Sequence, residues 1–185
     1  MTRAAGVVTL ARMTLSEVLV VVAVLALTLA GALTVLEQGQ QAWAYGAARV
    51  EAQQSARLAL ERLASDIRGA GRGAVPAVTV AEAQRLVLQA DLNGDGVIGP
   101  TRERITWRLR GSILRRDAGG GAQPVINGVA AFALVYFDGA GAATTIPAEV
   151  RAVAIWLSTR ADHARSLAGR DAGASVATVV HIRNR

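Results

Sequence analysis

ARMTLSEVLVVVAVLALTLAGALTVL, residues 11–36, sets a single carboxylate, Glu17, at the mouth of an apolar run that carries no other charge. From Val18 to Leu36 the only polar side chains are Thr28 and Thr34. A helix of that length reaches roughly 28 Å at about 1.5 Å per residue, close to the thickness of a bilayer core. Arg3 and Arg12 precede the run and favour a cytoplasmic N-terminus, which places everything after Leu36 on the far side of a single-pass span. A cleavable secretory signal is the competing reading, with Ala30-Gly31-Ala32 as small residues for a signal peptidase. The length of the run and its continuation without a break favour an uncleaved span.

Outward from this run, residues 37–68 contain no proline and are rich in Ala, Gln, Glu, Arg and Leu, which form helices well. Ala56, Leu60, Leu63 and Ile67 recur at helical spacing on one face, and Arg62 with Asp66 makes an i,i+4 pair on another. The apolar helix is therefore expected to continue as an amphipathic one, with Gly39 and Gly46 as soft points. Trp43 and Tyr45 suit either lipid headgroups or packing on a globular domain. GAGRGAVP, residues 69–76, ends the helix.

Beyond it the period changes to alternation. RLVLQA (85–90), RITWRLR (104–110), AAFALVYF (130–137), VRAVAIWLS (150–158) and SVATVVHIR (175–183) read as strands, with GGGAQP (119–124) as a loop. In 104–110, Ile105, Trp107 and Leu109 alternate with Arg104, Thr106, Arg108 and Arg110, the pattern of a half-buried antiparallel strand. One long helix followed by a run of strands is an α+β fold, with a small antiparallel sheet packed on the C-terminal part of the helix. The organisation is a leader over 1–12, a membrane or filament-core helix over 13–36, an amphipathic helix over 37–68 and a β-rich globular domain over 69–185.

The chain has 185 residues, one domain plus an appendage. All 20 of its basic residues are arginines, against 14 acids. Absence of lysine reflects GC-rich coding, so the basic balance says little about partners. Without cysteine there is neither a disulfide nor a thiolate metal site.

A basic leader, M-T-L-S-E from Met13 to Glu17, an apolar span, an amphipathic extension and a small sheet domain together resemble type IV pilins and the pseudopilins of type II secretion. QADLNGDGVIG with RITWRLRGSILRR, and the terminal VVHIRNR, are similar to the minor pilins called PilW and the pseudopilins called GspJ. The resemblance implies a pilin-like α+β fold and a structural, non-enzymatic subunit of the bacterial inner membrane, its globular domain periplasmic. It implies cleavage by prepilin peptidase between Arg12 and Met13, although the family pattern has glycine where this chain has Arg12. It further implies other pilin or pseudopilin subunits as partners, with Glu17 neutralising the freed amine of a neighbouring subunit during filament assembly. A plain alternative for Glu17 is an interfacial acid favoured by the positive end of the helix dipole.

Two other constellations carry chemistry. In DLNGDG, Asp91, Asn93 and Asp95, the turn residue Gly96 and the Val97 carbonyl match the early ligand positions of an EF-hand-like calcium loop, but Arg102 stands where the closing acid belongs. The same residues also make a polar turn between two strands. Arg102, Arg104, Arg108, Arg110, Arg115 and Arg116 form the densest basic patch, which reads either as a solvated face or as a contact for nucleic-acid phosphates. His163 and His181, the only histidines, sit in no pattern of nucleophile or metal cluster. Two function classes follow: a minor pilin or pseudopilin that initiates or caps a filament, and a membrane-tethered exported module that binds DNA, a surface or a protein.

Overall fold

The computed structural model describes residues 14–73, 76–99, 101–160 and 173–184; Arg3, Arg12, Met13 and His163 lie outside them. Helix α1 runs from Leu15 to Gly69, and Gly39 and Gly46, the expected soft points, leave it uninterrupted. It passes through two compact units, residues 1–43 and 44–185.

In the first unit the helix presents Leu and Val side chains on every side, Leu15, Val20, Leu27 and Val35 among the exposed ones. Its two hydroxyls turn back on their own helix: Thr28 Oγ1 donates to the Leu25 carbonyl at 2.9 Å and Thr34 Oγ1 to that of Ala30 at 2.9 Å.

The second unit is α+β. Among the described residues eight strands follow the helix: β1 (Val78–Glu82), β2 (Arg85–Gln89), β3 (Arg104–Arg110), β4 (Ile113–Asp117), β5 (Gln123–Ile126), β6 (Val129–Phe137), β7 (Ala152–Arg160) and β8 (Gly173–His181). All pairings are antiparallel, and the strands divide between a five-stranded sheet, β1-β2-β3-β4-β5, and a three-stranded sheet, β6-β7-β8. Residues 119–124 are not wholly a loop, since Gln123 and Pro124 open β5. Pro124 is accommodated because β5 is an edge strand, where a missing N–H breaks no ladder.

Both sheets turn their apolar sides to one core, which the helix completes with Ala56, Ala59, Leu63, Ala64 and Ile67 against Trp107, Leu114, Phe132 and Ile155. The buried stripe of the helix is mostly alanine and continues through Ala48 and Ala52, whereas Leu60, expected on it, is only half-buried. Alanine lets the strands come close to the helix backbone: the buried Thr159 on β7 donates its hydroxyl to the Ala52 carbonyl at 2.8 Å. The sheets are joined to each other at the β1–β2 turn, where Leu134 N–H donates to the Ala83 carbonyl at 2.9 Å and Tyr136 Oη to that of Glu82 at 2.7 Å.

The helix stops where expected. Gly71 and Gly73 take positive φ of 78° and 82°, and a β-carbon on Gly73 would lie 2.6 Å from that of Asp91. The last carbonyls are capped from the far end of the chain, Asn184 Nδ2 donating to those of Arg68, Gly69 and Ala70 at 3.2, 3.4 and 3.3 Å.

Candidate functional site

Three places hold the side chains singled out by sequence, and the first two are organised by local hydrogen bonds. The first is the start of α1. Thr14 N–H donates to Glu17 Oε2 at 2.7 Å, Thr14 Oγ1 donates to the same oxygen at 2.9 Å, and Glu17 N–H donates to Thr14 Oγ1 at 3.3 Å. This is a capping box, in which an N-cap Thr and an acid three residues later satisfy each other's backbone donors. Thr14-Leu15-Ser16-Glu17 carries its T-x-x-E signature.

The second place is the β2–β3 connection. Asp91 is buried, and its carboxylate accepts the N–H groups of Gly94 at 2.6 Å and Gly96 at 2.9 Å. Asn93 Oδ1 accepts the Asp95 N–H at 3.0 Å, Asp95 Oδ1 accepts that of Val97 at 2.7 Å, and Asp95 Oδ2 accepts from the Asn93 amide at 2.8 Å. The side-chain oxygens proposed as calcium ligands thus already close the turn. Glu103, also buried, binds the outer part of the loop: Oε1 accepts from Leu92 N–H at 3.1 Å and Asn93 N–H at 3.3 Å, Oε2 from Gly99 N–H at 2.7 Å. Among the described residues no three His, Asp or Glu side chains gather as a metal would require.

The third place is the arginine patch, which the fold splits. Across β2, β3 and β4, Arg85, Arg108 and Arg115 stand directly opposite one another, with Arg104 and Arg110 alternating onto the same outer face. Like charges in opposition destabilise a sheet, and long arginine stems relieve this by spreading their heads into water. Arg85 also reaches Glu82 at 3.8 Å, and Arg115 donates to the Ala122 carbonyl at 3.0 Å.

Arg116 leaves this face altogether. It points inward beside Trp107 and forks onto Asp66 of the helix, Nε to Oδ2 at 2.7 Å and Nη2 to Oδ1 at 3.1 Å. Trp107 Nε1 donates to the same Oδ2 at 2.8 Å. The expected Arg62–Asp66 pair is therefore replaced by a bond across the core, because Asp66 lies on the edge of the buried stripe, where a fixed guanidinium fork is a better partner than a neighbouring exposed arginine.

Beside this triad opens a cleft of about 580 Å³ between the end of α1, the β2–β3 connection and the start of β3. Ile105 and the exposed Leu92 give it apolar surface, and Arg62, Ser65, Thr101 and Arg102 are around it. Sequence alone does not reveal it, because its walls come from segments as far apart as Arg62 and Gly120. His181 is exposed on β8 and joins no such cluster.

No family model matches this chain, and no curated protein matches it. Among solved structures it matches a chain in the crystal structure of the GspK-GspI-GspJ complex from the enterotoxigenic Escherichia coli type 2 secretion system. The identity is 15% and the TM-score 0.44, over 74% of this chain and 99% of that one. Such a likeness assigns no role to any residue.

Proposed function

We propose that this chain is a non-enzymatic, membrane-anchored subunit of the type IV pilin and pseudopilin kind, which initiates or caps a filament by packing its N-terminal helix with those of other subunits. In this reading residues 13–36 make a single pass through a bacterial inner membrane, the globular unit is periplasmic, and prepilin peptidase cuts between Arg12 and Met13. One observation carries the anchoring part. Between Val18 and Leu36 the only polar side chains, Thr28 and Thr34, are satisfied by their own helix, so the exposed segment offers lipid no unpaired side-chain donor.

The assembly part rests on Glu17. A lone carboxylate near hydrocarbon is costly, and a neighbouring subunit's freed amine would neutralise it. Glu17→Gln separates this role from capping, since glutamine at the third helical position also completes a capping box. With assembly depending on charge, Glu17→Gln and Glu17→Ala both lose filament incorporation by roughly 100-fold at equal protein level, the equivalent of about 3 kcal/mol. Mass spectrometry of the N-terminus tests cleavage before Met13 in the same samples. Cleaved Glu17→Gln protein that enters filaments normally would overturn the assembly role and favour a tethered binding module, for which the sheet face bearing Arg85, Arg108 and Arg115 is the candidate contact.

Calcium at the β2–β3 loop is a separate proposal. Asp91, Asn93, Asp95 and the Val97 carbonyl would hold the ion, sharing oxygens that now accept backbone N–H groups.

A further inference from the structure

We propose that the cleft beside Asp66 and Arg116 is a recognition site for a short acidic peptide, in which a carboxylate meets Arg62 and Arg102 and a neighbouring apolar side chain rests on Ile105 and Leu92. This inference lies in the globular unit and does not depend on the filament reading.

The electrostatics come first. Three arginines line the cleft against two acids, Asp66 and Glu103. Asp66 is spent on Arg116 and Trp107, and Glu103 on three backbone N–H groups of the loop. Arg62 and Arg102 keep their guanidinium groups free of any described acceptor, as Ser65 and Thr101 keep their hydroxyls. The cleft thus offers two forks for carboxylate and two hydroxyls for amides beside an apolar surface.

Backbone geometry supplies an independent observation. Arg102 has φ of 64°, the single positive φ outside glycine among the described residues. Its N–H is held by the Ala118 carbonyl at 2.8 Å. Such a conformation is strained for a residue that carries a side chain, and glycine would relieve the strain. A long cation kept in a position suited to glycine, at the rim of a cleft, indicates use of its side chain.

The rim is also prepared in advance. Glu103 clamps the Leu92 and Asn93 N–H groups from one side and Gly99 from the other, while Asp91 holds Gly94 and Gly96. Leu92 is left 50% exposed beside the cleft by this closed loop. An exposed leucine on a rigid rim provides apolar contact at little ordering cost. A peptide suits the site better than a bare anion because charge, hydroxyls and apolar surface lie together.

The test uses the full-length chain in neutral detergent and a fluorescein-labelled pentapeptide, Gly-Glu-Leu-Glu-Gly, read by anisotropy against its Gly-Gln-Leu-Gln-Gly counterpart. The glutamate peptide binds at least tenfold tighter. Arg62→Gln and Arg102→Gly each weaken it about tenfold, as expected for loss of a charge-assisted hydrogen bond. Arg102→Gly does so with an unchanged or raised melting temperature. Arg108→Gln, on the outer sheet face, has no effect. The proposal is overturned by equal binding of the two peptides, by absence of binding at millimolar peptide, or by Arg108→Gln weakening binding as much as Arg102→Gly. Octanoate that displaces the peptide with the same arginine dependence would assign the cleft to a fatty acid and overturn it as well.

Discussion

Asp66→Ala is the perturbation that tests how the helix is fixed to the five-stranded sheet. Its side chain is 10% accessible and that of Arg116 20%, and the fully buried Trp107 shares the same carboxylate. Removing the acid strands a guanidinium and an indole N–H together. Breaking a buried pair from one side costs about 3 to 5 kcal/mol, and the residual exposure of Arg116 favours the lower end. The orphaned indole N–H adds about 1 kcal/mol. A loss near 4 kcal/mol takes a large share of the roughly 5 to 15 kcal/mol that holds a domain together. At about 3 °C per kcal/mol for a unit of this size, the melting temperature falls by roughly 10 °C. Urea unfolding followed by tryptophan fluorescence measures the loss, with the exposed Glu61→Ala on the same helix as the control. The double variant Asp66→Leu, Arg116→Met regains most of it, because no charge is then left stranded. A loss below about 1 kcal/mol in Asp66→Ala, the size of a surface pair, would refute the reasoning.

The remaining predictions concern Tyr136 and Asp91. Burial, with a smaller contribution from the negative charge of Glu82, pushes the Tyr136 hydroxyl far above its usual range. The folded state therefore holds this proton after the unfolded state releases its own near pH 10, and stability falls by about 1.4 kcal/mol per pH unit above that point. Tyr136→Phe flattens this slope between pH 10 and 11.5 in urea titrations; an unchanged slope would place the dependence elsewhere. Asp91→Ala leaves the Gly94 and Gly96 N–H groups without their acceptor and lowers stability by about 2 kcal/mol in calcium-free buffer. If the loop takes calcium, millimolar ion raises the melting temperature of the parent chain and not that of an Asp91→Ala, Asp95→Ala variant; equal responses leave only the turn.

Much of the fold was legible where hydropathy alternates cleanly. β3 was read over its full extent because Trp107 is flanked at two-residue spacing by Ile105 and Leu109, and β2 and β6 came within a residue. β4 was missed because Arg116 occupies an inward position where an apolar residue is expected, and β5 because Pro124 reads as a strand breaker away from an edge. The helix face was half legible. Leu63 and Ile67 marked it, but Ala48, Ala52 and Ala59 carry too little hydropathy to distinguish a packed position from an exposed one. Their small size becomes meaningful only when the Thr159 hydroxyl is seen reaching the Ala52 carbonyl. The cleft was illegible for a different reason: it needs the packing of α1 against the β3–β4 hairpin, which joins residues distant in sequence through the core and the Asp66–Arg116 bond.

The two carboxylates that drew attention in the sequence, Glu17 and Asp91, both bind backbone N–H groups nearby. For Asp91 this accounts for the residue, since both of its oxygens are engaged in the turn. Glu17 differs in one respect. Both Thr14 donors converge on Oε2, and Oε1 has no donor among the described residues. The capping box and a cation are therefore not competitors. The box draws off part of the negative charge and fixes the side chain against the first turn, which in the proposed membrane setting lowers the cost of holding a carboxylate there in a lone chain. It leaves Oε1 open to a second partner. An incoming amine can pair with that oxygen without first breaking the helix start, so the energy of the new pair is not offset by loss of the cap. Local capping thus prepares Glu17 for the assembly role proposed for it.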